Sequence, residues 1–125
     1  MRTTLTDGLE KNNITITKTG DGAKNTIFVV SGTVLDERDL TYFLIGVDGL
    51  QGNPKSLRLD SAAFLVESGL KIIVSYKNEP YFLPFEGKGK LELDPFGGLP
   101  GHDLQLTVKG TGTFLIMLDI SKLGV

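Results

Sequence analysis

An all-β fold, a single-domain jelly-roll-like sandwich of about eight strands, is what this sequence predicts, and three observations carry the prediction. Apolar residues recur with period two along most of the chain, which is the mark of strands with one buried and one wet face. Turn-forming residues interrupt these runs at short intervals, the pattern of a sandwich or barrel. The length, 125 residues, is that of one domain. A chain of this size buries roughly two-thirds of its unfolded surface, enough for a core without covalent staples.

The alternation is explicit in four segments. Ile14 and Ile16 alternate with Thr15 and Thr17, and Leu57 and Leu59 with Arg58 and Asp60. Leu91 and Leu93 flank Glu92, while Leu104, Leu106 and Val108 alternate with Gln105, Thr107 and Lys109. Three further runs are apolar throughout: Ile27-Phe28-Val29-Val30, Tyr42-Phe43-Leu44-Ile45 and Phe114-Leu115-Ile116-Met117-Leu118. These read either as strands buried on both faces or as strands whose outer face meets a partner. Tyr42 to Ile45 and Phe114 to Leu118 exceed what one face of a small sandwich buries, so a homo-oligomer is expected.

Punctuation comes from Gly20-Asp21-Gly22, Glu67-Ser68-Gly69, Lys77-Asn78-Glu79-Pro80, Gly87-Lys88-Gly89 and Gly110-Thr111-Gly112. The second reads as a hairpin between two apolar runs, the third as a turn closed by a proline that removes a ladder donor, and the fourth as a turn with solubilising lysines. Two segments leave a short helix open: Ser61 to Glu67, which ends near Gly69, and Asp36 to Asp39. The β-branched run Ile72-Ile73-Val74 favours strand for the first. Total helix is expected below about 15%, under the average of soluble proteins. Residues 1–12 are polar and read as an N-terminal arm, with the sandwich spanning 13–125.

Composition narrows the function. The chain has no cysteine, which excludes disulfides and thiolate metal sites. Thirteen basic residues against fifteen acidic ones, net −2, argue against a nucleic-acid surface. No apolar run approaches the roughly 20 residues of a membrane helix, and the opening Met1-Arg2-Thr3-Thr4 lacks an apolar signal region.

His102, the sole histidine, sits in a Gly/Pro-rich loop without a nucleophile or orienting partner beside it in sequence. There is no Gly-x-Ser-x-Gly elbow. Gly87-Lys88-Gly89-Lys90 lacks the spacing and the Ser/Thr of a phosphate loop. The acidic run Asp36-Glu37-Arg38-Asp39 lacks the glycine and closing glutamate of a calcium loop and reads as solvated. Tyr76, Tyr81, Phe82 and Phe85 cluster around a turn and read as core rather than as a sugar shelf. No catalytic, cofactor or metal residue is predicted, and the chain reads as a binding or structural protein rather than an enzyme.

The C-terminal half, about residues 55 to 121, resembles the head decoration or cement proteins of tailed bacteriophages. The likeness is carried by the order Leu57-Arg58-Leu59-Asp60, Ala63 to Val66, Leu70 to Tyr76, Tyr81 to Phe85 and Leu91 to Asp94. It continues through the loop Pro95-Phe96-Gly97-Gly98-Leu99, then Asp103 to Thr107, and the strand Phe114 to Ile120. One departure is that the first long strand, where the family carries an aromatic such as tryptophan, has Phe64, and the chain has no tryptophan. The resemblance implies a jelly-roll sandwich on the virion surface, made in the host cytoplasm, that binds the major capsid protein across capsomers, as a trimer and without nucleic acid, membrane or cofactor. Candidate capsid or subunit contacts are then Asp36, Glu37, Arg38, Asp39, Gly97, Gly98, Leu99 and His102, all in loops. Alternatives are a tail, neck or baseplate component with the same fold, or a soluble carbohydrate-binding module.

Overall fold

The computed structural model describes residues 2–6, 12–21, 24–35, 40–45, 50, 52, 54–80 and 82–124. The strands are β1 (Arg2–Thr6), β2 (Asn12–Asp21), β3 (Asn25–Val34), β4 (Leu40–Ile45), β5 (Ser56–Val66), β6 (Leu70–Tyr76), β7 (Phe82–Phe85), β8 (Gly87–Glu92), β9 (Leu99–Gly101), β10 (Leu104–Gly110) and β11 (Gly112–Leu123). They form two antiparallel sheets. The larger has seven strands in the order β1-β2-β3-β11-β5-β8, with β9 also pairing β5, and the smaller runs β4-β10-β6-β7. The fold is all-β, a jelly-roll-like sandwich in one domain. The three short strands β1, β7 and β9 add to eight longer ones. Among the described residues the helical part is a 3-10 turn at Asp94–Phe96, and the helix left open at Ser61 to Glu67 lies mostly within strand β5.

Strand β11 is the hub of the larger sheet. It pairs with β3 from Gly112↔Val34 to Ser121↔Asn25 and with β5 from Phe114↔Val66 to Leu123↔Ser56. Its apolar run splits by face: Phe114, Ile116 and Leu118 are buried with Ile120, whereas Leu115 and Met117 are exposed. The inner residues meet Phe28 and Val30 of β3, Leu57, Leu59, Ala62 and Val66 of β5, and Ile72, Val74, Leu104, Leu106 and Val108 of the smaller sheet. Tyr76 is buried at one end of this core, and its hydroxyl donates to the Leu99 carbonyl at 3.0 Å, which satisfies the one polar atom of an otherwise apolar ring. Phe64 and Phe85 meet across the sheets with ring centroids 4.7 Å apart. Tyr76 and Phe85 are thus core residues, Phe82 is exposed, and Tyr81 lies outside the described residues.

Three readings of turns and termini change. Glu67-Ser68-Gly69 is not a hairpin, because β5 and β6 belong to different sheets. Gly110-Thr111-Gly112 likewise carries the chain from β10 in one sheet to β11 in the other. The two crossings pack together: the Thr111 amide donates to the Gly69 carbonyl at 3.2 Å, and a Cβ on Gly110 would overlap that carbonyl oxygen. Glycine is needed there for close approach as well as for its φ of 89°. Gly87-Lys88-Gly89 is not a turn but the start of edge strand β8, paired with β5 from Val66↔Gly87 to Ser61↔Glu92. Gly89 faces Phe64, whose ring covers it so closely that a Cβ would lie 3.1 Å from Phe64 Cζ. The segment read as an arm, residues 1–12, contributes β1, which pairs with β2 from Arg2↔Thr17 to Thr6↔Asn13.

The two faces of β11 predict opposite mutational costs. Ile116→Ala empties a fully buried site and is expected to lower unfolding free energy by about 3 kcal/mol. Leu115→Ala, one residue away, is expected to cost less than about 1 kcal/mol in dilute solution. Urea unfolding of both variants checks this, and equal losses would contradict the assigned register.

Candidate functional site

The outer face of the larger sheet gathers the apolar side chains that the core does not use. Ile27 and Val29 of β3, Leu115 and Met117 of β11, and Ala63 and Leu65 of β5 stand in adjoining rows. Met117 is flanked by Val29 and Ala63, and Leu115 by Ser31 and Leu65. Leu65, Leu115 and Met117 retain 56%, 45% and 47% of their surface to solvent. Three open depressions of about 370, 210 and 310 Å³ follow one another along this face, sharing Leu65, Ala63, Leu115 and Met117 in their linings. The local cause is strand geometry: once alternate residues are committed to the core, the others must point away from it.

Charge borders the apolar rows. On β8, Lys88 faces Leu65, Lys90 faces Ala63 and Glu92 faces Ser61. Lys90 Nζ lies 2.7 Å from Glu92 Oε1, and this hydrogen bond and charge raise the Lys90 pKa. At the far end Asp119 faces Ser61 and Ile120 faces Leu59, which leaves Asp60 as the extra residue of a β-bulge. The buried Asp60 carboxylate accepts from Arg58 Nε at 2.7 Å and from the Ser121 hydroxyl. Arg58 Nη2 also donates to Ser121 Oγ at 3.3 Å, and the Leu93 amide donates to the Asp60 carbonyl at 2.8 Å. The Ser121 hydroxyl is engaged by a carboxylate that is paired with a guanidinium, and the trio holds the bulge.

Two carboxyls beside the bulge are held above their ordinary range. Asp94 is raised by desolvation, then by the Asp60 charge and a hydrogen bond with Asp60, against the pull of Arg58. Asp119 is raised by desolvation, then by the Asp60 and Glu92 charges. Among the described residues no group of three or more His, Cys, Asp or Glu is placed to hold a metal ion.

The loop residues singled out from sequence are not brought together on this face. Gly97 and Gly98 follow the 3-10 turn with φ of 89° and 75°, and Gly98 packs on Arg58 so closely that a Cβ would overlap its side chain. Leu99 opens β9, packs partly on the core and receives the Tyr76 hydroxyl. His102 is exposed. Asp36, Glu37, Arg38 and Asp39 lie outside the described residues. Sequence reasoning passed over Ala63 and Leu65. The available signal was the unbroken run Ala62 to Val66, where the residues between core positions are apolar as well. A further depression of about 510 Å³ lies at the turn end of the sandwich, with Glu67, Lys71, Glu86 and Lys109 in its lining. Lys71 there lies 3.6 Å from Glu86, and Glu67 accepts from the Thr113 hydroxyl at 2.8 Å.

No family model matches this chain, and no curated protein matches it. Among solved structures it is similar to a cupin superfamily protein from Desulfitobacterium hafniense DCB-2. The identity is 11% and the TM-score 0.39, with 88% of this chain and 77% of that one covered. It is similar also to FeII HppE, at 11% identity and a TM-score of 0.39, with 96% of this chain and 55% of that one covered. The resemblance to tailed-phage head decoration proteins does not stand. The two solved structures named above are described as a cupin superfamily protein and FeII HppE, and no family model or curated protein matches the chain. With it falls the function of a capsid decoration or cement protein, and the tail, neck or baseplate variant of that reading. The physical reason is that the features carrying the likeness, short alternating strands and a glycine loop, are what any small antiparallel sandwich requires.

The raised carboxyls make stability depend on pH. Asp94 and Asp119 bind their protons more tightly in the folded chain than the ordinary value of 3.8 allows. Their contribution is therefore fully present below that value and is lost as pH rises through the folded values. Replacing Asp94→Asn is expected to flatten the fall in Tm from about pH 4 upward. A variant that follows the same slope as the native chain would contradict this.

Proposed function

We propose that this chain is an assembly subunit rather than an enzyme, and that it works by associating with copies of itself through the outer face of the larger sheet. The observation that carries this reading is the contiguous exposure of Leu65, Leu115 and Met117 beside Ile27, Val29 and Ala63. A contiguous apolar patch rimmed by charge is characteristic of an association surface. Lys88, Lys90, Glu92 and Asp119 form such a rim and keep wrongly placed partners away. The face is rigid because its central strand is paired on both sides, so association costs little ordering of the backbone.

The soluble carbohydrate-binding alternative has less support. The exposed aromatics Phe82 and Phe96 lie on an edge strand of the smaller sheet and in the 3-10 turn. Neither belongs to the outer-face rows.

Light scattering across a concentration series tests the proposal. A mass that climbs above the 13.5 kDa of one chain, and returns to it in the Leu115→Glu variant without loss of far-UV β signal, is expected. A mass of 13.5 kDa at every accessible concentration would contradict it.

A further inference from the structure

Self-association through this face leaves open the number of copies and their arrangement, and the outer rows bear on both. The trimer was implied by the phage resemblance alone, so symmetry has to be sought in the face itself. Row β5 presents Leu65, Ala63 and Ser61 outward, and row β11 presents Leu115, Met117 and Asp119 beside them at the same heights. We infer that two copies pack face to face about a two-fold axis parallel to the strands and lying between β5 and β11, so that each row covers the other row of its partner.

The arrangement matches size with size and polarity with polarity. Met117 comes over the small Ala63 of the other copy, Leu65 meets Leu115, and the Ser61 hydroxyl comes over Asp119, to whose carboxylate it donates. Each contact occurs twice, as an isologous interface requires. At the flank β8 passes over β3 of the other copy. The stems of Lys90, Lys88 and Glu92 then lie over Val29, Ser31 and Ile27 with their charged ends in water at the rim.

An axis perpendicular to the strands and centred on Met117 does worse. It sets Leu115 against the Asp119 carboxylate and Lys90 against its own copy, and like charges directly opposed are destabilising. A three-fold ring needs two different complementary patches, whereas the outer-face rows are one, and the exposed Phe82 and Phe96 lie on other elements. Three strands of about ten residues and the six-residue β8, about 4.8 Å apart and about 3.3 Å per residue, make a face of roughly 600 Å². That is close to the roughly 800 Å² each partner buries in a standard interface.

The inference rests on the self-association reading, and a size-swap experiment separates the two. Ala63→Met and Met117→Ala are made singly and together, and the dissociation constant of each is measured by sedimentation. The native chain is expected at twice 13.5 kDa. Each single variant is expected to weaken the dimer about tenfold, by a clash or by a gap, and the double variant to recover to within about threefold of native. Residues 63 and 117 are also cross-strand neighbours within one chain, so the unfolding midpoint of each variant's monomer is measured beside its dissociation constant, and recovery counts for row-over-row packing where the two do not move together. Both positions lie on the outer face, and Leu115→Glu serves as a second probe that must dissolve the dimer. A native chain that stays monomeric sinks both readings. A trimer, or a double variant that does not recover, sinks the two-fold arrangement and leaves self-association through the face standing, whereas a dimer indifferent to Leu115→Glu sinks both.

Discussion

Everything in this protein depends on the register of strand β11. It lies between β3 and β5, with ten paired positions to each, and its inner side chains Phe114, Ile116, Leu118 and Ile120 are all in the core. Side chains alternate with period two, so a slip of one residue would expose all four and bury Leu115, Met117, Asp119 and Ser121 instead. Burial of the inner set thus decides what the outer set presents to solvent. The bulge at Asp60 keeps this phase intact on the neighbouring strand. It lets Leu59 and Ala62 both reach the core while Arg58 and Ser61 pair with Ser121 and Asp119.

The polar end of the face follows from the same constraint. A bulge leaves one residue without a ladder partner, and here that residue carries a carboxylate which must find donors. Arg58 and Ser121, neighbours in register, supply them. Asp94 and Asp119 stand beside this carboxylate, and desolvation first, then the Asp60 charge, raises both. The apolar rows therefore end at a charged border rather than fading into a neutral surface, which limits how far a partner can slide along the strands.

Much of the architecture was legible in the sequence, and the failures have identifiable causes. Alternation in Leu57 to Asp60 and Leu104 to Lys109 marks strands wherever one face is buried. The glycine turns at Gly69 and Gly110 were legible as turns but not as crossings between sheets, because a tight glycine turn serves either purpose and tertiary pairing decides. Gly87 to Lys90 was misread because glycine has little strand preference of its own; pairing with β5 and the cover of the Phe64 ring override that preference. The outer face was half legible. The apolar run Phe114 to Leu118 announced a strand with a surplus face, but only the register brings Ala63 and Leu65 beside it. That Gly98 is required by the close approach of Arg58 was not legible, because the sequence shows a glycine loop but not what packs on it.

The central claim is that β11 builds the core with one face and is covered by another molecule on the other, and Met117 reports on both. It is one of two methionines in the chain, the other being Met1. Peroxide converts an accessible thioether to the sulfoxide and spares a buried one. The rate of Met117 oxidation, followed by peptide mass spectrometry against a free methionine peptide as the concentration of folded protein is raised, is the most direct measurement. The account predicts a rate near that of the free peptide in dilute solution and strong protection as the protein associates. Protection equal at every concentration would place Met117 inside the fold, and a fast rate at every concentration would mean that nothing covers the face; either result would contradict the account.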